Sequence, residues 1–133
     1  MTFPRFDPHA VLEGAGRRVD VALAEVPRSR LESDPVRTPV DIYVLVDPAN
    51  GWQTAHLALD AFGTQMADRF GWMHLEAPIE YEGKILLRVK TGVPSAAVEA
   101  LVAPLERAAE AQIRDVLGPD ADVRVGVAPA DGS

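Results

Sequence analysis

The chain has 133 residues, no cysteine, and 20 acidic against 13 basic side chains, for a net charge of −7. That length predicts one domain that buries its own core. The missing cysteines exclude disulfides, thiolate metal sites and cysteine nucleophiles, and the acidic balance argues against binding a phosphate backbone.

The opening Met-Thr-Phe-Pro-Arg-Phe-Asp-Pro is not patterned as a secretory signal, and no apolar run is long enough to span a membrane. A cytoplasmic protein, or a component of a particle assembled inside the cell, is expected. Residues 1–38 read as an N-terminal helix and arm, 39–128 as the core, and 129–133 as a tail.

Asp7-Pro8 is a helix start, with Asp as cap and Pro in the first turn. Val11, Ala15, Val19, Ala22, Leu23 and Val26 then recur at helical spacing. Val19, Val21 and Leu23 also alternate as a strand would, so 17–26 admits both readings. From Pro27 to Pro39 there is no periodicity. A connection this long is either a solvated crossover or a contact arm, which would use Arg28, Arg30 and Arg37.

Val40–Asp47 is the strand on which the rest is organised. Val40, Ile42, Val44 and Val46 point to one face, and Asp41, Tyr43, Leu45 and Asp47 to the other. Both faces carry apolar residues, which predicts a central strand. Pro48-Ala-Asn-Gly51 is a turn, and Asn50 with Gln53 has the form of a capping box opening a helix. Trp52, Ala55, Leu59, Phe62, Met66 and Phe70 form its buried stripe, and Gly71 ends it.

Met73–Tyr81 and Lys84–Lys90 are two strands of a hairpin. A three-residue loop, Tyr81-Glu82-Gly83, would pair Ile79 with Ile85, Ala77 with Leu87 and Leu75 with Val89. It would also set Glu80 against Lys84 and Glu76 against Arg88, which is why this register is expected. A long helix follows, with Val98, Leu101, Val102, Leu105, Ala109, Ile113 and Val116 on one face. Val123, Val125 and Val127 form a last strand.

The order from residue 39 predicts an α+β fold of the ferredoxin-like, split βαβ kind. Two helices cover one sheet face, expected to carry Val40, Ile42, Val44, Leu75, Ile79, Ile85, Leu87 and Val125. The other face carries Asp41, Tyr43, Leu45, His74, Glu76, Glu80, Leu86, Arg88, Lys90 and Arg124. Tyr43, Leu45 and Leu86 form an apolar island there, to be covered by the N-terminal helix or by a second copy.

No catalytic motif is present, so no catalytic residue, metal ligand or cofactor is assigned. The pocket candidates are Asp47, Asn50 and Trp52 at the strand–helix turn, and His74, which stands two residues from Glu76 on one strand face. The reading favoured is a non-enzymatic assembly or interaction subunit, such as a ring- or particle-forming phage tail or neck protein. It would self-associate or bind a protein partner, with no nucleic acid and no membrane. The alternative is a small-molecule binder or cofactor-independent enzyme of the dimeric ferredoxin-like type, using His74, Tyr43 and Trp52.

Overall fold

The computed structural model describes residues 7–32 and 35–130. The fold is mixed α/β: an antiparallel sheet, two helices on one of its faces, and a third helix over those two. The segments before Asp7 and after Ala130, including most of the expected tail, lie outside the described residues.

The first helix, α1 (Pro8–Ala24), starts as its sequence dictates: Asp7 Oδ1 accepts from the backbone N–H of His9 at 3.0 Å. It buries Ala15, Gly16, Val19 and Ala22, which settles the ambiguous segment as helix through Ala24. A five-residue helix, α2 (Arg28–Glu32), follows where no periodicity pointed to one. Strand β1 (Arg37–Val46) then begins three residues before the predicted Val40. Its burial alternates as expected, with Val40, Ile42, Val44 and Val46 inside.

Helix α3 (Trp52–Phe70) buries Ala55, Leu59, Phe62, Met66 and Phe70, and ends at Gly71 with φ 107°. The predicted capping box is absent: Gly51 stands at the N-cap in the left-handed region, and no side chain caps the helix. Asn50 is drawn away by Asp122, whose carbonyl accepts from Asn50 Nδ2 at 3.4 Å. Gly63 lets α3 sit close on the sheet. A β-carbon there would lie 2.7 Å from both Met73 Cε and Val89 Cγ2.

Strands β2 (Met73–Leu75) and β3 (Ile79–Tyr81) both pair with β4 (Lys84–Pro94). Helix α4 (Val98–Leu117) follows, burying Leu101, Leu105, Ala109 and Ile113. Strand β5 (Val123–Pro129) closes the sheet on the far side of β1. The order is β2-β4-β1-β5, with β3 also on β4, and all four pairings are antiparallel.

The hairpin differs from the expected register. Leu75 pairs with Val89 as predicted, but Ile79 pairs with Leu86 and Tyr81 with Lys84. Three residues between Leu75 and Ile79 therefore oppose two between Val89 and Leu86. The extra residue is absorbed at Glu76–Pro78, not at the turn. Pro78 cannot donate to a ladder, which makes this the natural site for a bulge. The turn is then a two-residue Glu82-Gly83, with φ 49° and 79°, as the mirror-image hairpin turn requires. Glu80 does not face Lys84, which pairs instead with Asp122 at 3.3 Å and Asp47 at 3.7 Å. Glu76 does meet Arg88, at 3.9 Å.

Glu82 thus holds a left-handed conformation that disfavours a glutamate, whereas asparagine tolerates it. Glu82→Asn is expected to stabilise the fold by about 0.5–1 kcal/mol. A chemical-denaturation midpoint that fails to rise would contradict this turn geometry.

Helix α1 lies across α3 and α4, on the side away from the sheet. Gln65 Nε2 donates to the carbonyl of Leu12 at 2.9 Å, and buried Gln112 donates to that of Val11 at 3.1 Å. The ion pairs Arg69–Asp20 (2.7 Å) and Arg18–Asp115 (2.9 Å) flank these bonds. The N-terminal helix therefore does not fold back over the island, because its apolar stripe is already spent on the other two helices.

Candidate functional site: the open face of the sheet

The sheet face turned away from the helices is the candidate site. Cross-strand register lays it out in rows. Leu45 opposes Leu86, which opposes Ile79; Arg124 stands beyond Leu45 on β5. In the next row Gly126, Tyr43 and Arg88 are neighbours, and in the next Ala128, Asp41, Lys90 and His74.

Tyr43, Leu45 and Leu86 are thus brought together on adjacent strands, each half-buried. The bulge adds two residues that the sequence reading placed wrongly. Ile79 was expected in the core, but it shares the open face with Tyr81, and each is 50% exposed. Glu80, expected on the open face, pairs with Ile85 and points to the helix side instead. Pro78 was the one pointer, since a strand proline marks a bulge or an edge; Glu82, a poor residue for the left-handed region, gave no sign of the two-residue turn.

Two glycines shape the face. A β-carbon on Gly126 would run into the phenol of Tyr43, and one on Gly92 would meet the indole of Trp72. Each aromatic ring takes the space a side chain would otherwise fill, over bare backbone. The middle of the face is polar. Glu76 lies 3.7 Å from His74 and 3.9 Å from Arg88, while Asp41 Oδ1 and Arg88 Nε are buried with no hydrogen-bond partner among the described residues.

At the end of the sheet, Leu45, Tyr81, Glu82, Lys84, Asp122 and Arg124 line an open groove of about 300 Å³. Tyr43, His74 and Trp52 are not among its walls. The other pocket candidates are held by structure. Asp47 accepts from the Ala49 N–H at 2.9 Å and lies 3.7 Å from Lys84, while Trp52 packs half-buried against the core. The three arm arginines are dispersed. Exposed Arg28 pairs with Glu32 at 3.3 Å on α2, Arg30 lies exposed on the same helix, and Arg37 sits in β1 with its guanidinium 5.8 Å from the Phe70 ring centre.

Among the described residues no cluster of three or more histidine, aspartate or glutamate side chains could hold a metal ion. No described helix is long and apolar enough to cross a membrane. No protein-family model matches this chain, and neither a curated protein nor a solved structure matches it.

Proposed function

We propose that this chain is a non-enzymatic assembly subunit of ferredoxin-like topology that associates with a second copy through the open sheet face. The strand order supports the topology: the strand after the first helix of the core, β2 with β3, takes one edge, and the last strand, β5, takes the other.

The observation that carries the reading is the apolar end of that face. Leu45, Leu86, Ile79 and Tyr81 form one continuous group, and α1 is committed elsewhere. Apolar area left in water forfeits about 25 cal/mol per Å². Charge favours this surface for self-contact. Lys84, Arg88, Lys90 and Arg124 are balanced by Asp41, Asp47, Glu76 and Asp122 on the face and its rim, in a chain whose net charge is −7. With Glu82 at the groove counted as well, the face and rim are close to neutral, so like-charge repulsion between copies is modest here. The small-molecule alternative has less support, since its expected residues do not line the groove at the sheet's end.

The test is light scattering across a concentration series. The full chain is expected to exceed the mass of one copy, with salt strengthening the contact by screening the remaining repulsion. Leu86→Glu should weaken it by about tenfold or more, the effect of a charge placed at an interface centre. A mass unchanged by Leu86→Glu would remove this face from the assembly.

A further inference from the structure

The sheet has a second feature suited to assembly, and it is independent of the open face. β5 pairs with β1 on one side and with no described strand on the other. Hydrogen bonds tell its two sides apart. The Ala130 N–H donates to the Pro39 carbonyl at 3.0 Å, and this pair continues the register in which Val40 opposes Pro129. Hydrogen-bonded pairs in an antiparallel ladder recur at every second residue. Ala128, Gly126 and Arg124 therefore turn their backbone groups toward β1, and Val123, Val125 and Val127 turn theirs outward.

The outward edge is bounded at both ends. Val123 N–H is taken by the Ala121 carbonyl at 3.0 Å, and Pro129 has no N–H to offer. Between them stand the donors of Val125 and Val127, which have no backbone partner among the described residues, and the carbonyls of Val123, Val125 and Val127. The register of β5 on β1 is unbroken by a bulge, and the strand's one charged residue, Arg124, belongs to the set that faces β1. The usual devices that blunt a sheet edge are absent from this stretch. A groove of about 240 Å³ lined by Glu106, Arg107, Glu110 and Val125 leaves the approach unfilled.

We propose that a second copy pairs along this edge, antiparallel, about a two-fold axis at Val125. In that register the Val125 N–H of each copy donates to the Val125 carbonyl of the other. The Val127 N–H of each donates to the Val123 carbonyl of the other. All four donors are satisfied, and the contact is self-complementary, as a two-fold interface must be. The side chains of Val125 and Val127 are buried toward the helices and do not obstruct it.

Amide hydrogen exchange on the full chain, at low and at high protein concentration, tests this. The amides of Val125 and Val127 are expected to slow by about tenfold or more as concentration rises, while those of Gly126 and Ala128 stay protected at both. Val125→Pro removes an outward N–H and keeps the β1 ladder intact, so, added to Leu86→Glu to silence the open face, it should bring the mass seen by light scattering down to one copy. If that variant misfolds, the wild-type exchange result still decides. Leu86→Glu should leave the concentration-dependent slowing in place, which separates this contact from the open-face one. Fast exchange of both amides at every concentration would overturn the proposal. Protection independent of concentration would overturn it too, because the edge would then be covered within one chain.

Discussion

Phe62→Ala is expected to destabilise the protein by about 3–5 kcal/mol, the range for deleting a fully buried phenylalanine. Phe62 is wholly inaccessible to solvent and heads the fully buried side chains in volume. It sits on α3 between Leu59 and Met66, on the stripe that meets the sheet. Gly63, the next residue, already holds the helix so close to Met73 and Val89 that the neighbours have little room to move. The cavity left by the ring therefore cannot collapse readily, and the upper part of the range is expected. Urea denaturation checks it, with the exposed Thr64→Ala on the same helix as a control expected to change stability by less than about 0.5 kcal/mol. An unchanged midpoint for Phe62→Ala would mean that α3 turns a different face inward.

Gly126→Val is expected to cost about 3 kcal/mol, the upper end of ordinary overpacking penalties. A valine suits a strand by propensity, so sequence rules alone would expect a gain. The geometry predicts the reverse, because the new β-carbon would clash with both the Cζ and the hydroxyl oxygen of Tyr43, directly across the ladder. Tyr43 would have to leave the sheet surface, taking its cover from Gly126. The two positions should therefore couple. In the Tyr43→Ala background, Gly126→Val should cost less than about 1 kcal/mol, and the double-mutant cycle measures the difference. Additive costs would show that Tyr43 does not lie over Gly126.

How far the sequence reaches is clear from particular residues. Long periodic stretches were legible: the stripes of α3 and α4 and the alternation of Val40–Val46 follow from repeats of 3.6 and 2. Tyr43, Leu45 and Leu86 could be placed on one face for the same reason. Non-periodic choices were not legible. The site of one extra residue, at Pro78 or at Gly83, changes no composition and preserves the Leu75–Val89 pair in both cases. It decides, however, whether Ile79 and Tyr81 are wet. Asn50 and Gln53 had the form of a cap, yet Asp122, distant in sequence, competed for Asn50. The placement of α1 depended on Gln65 and Gln112, polar residues whose acceptors, the carbonyls of Leu12 and Val11, leave no pattern in the side-chain sequence.

The bulge at Glu76–Pro78 has a bearing on how far growth could proceed. It splits that border of the sheet into two three-residue pieces with a proline between them. Such a border offers no continuous template to another chain, whereas the opposite border is regular from Val123 to Val127. A sheet with two regular borders can add copies indefinitely and form fibres. With one border interrupted, the edge pairing proposed above would stop after one partner, because the pair would present only interrupted borders to further strands.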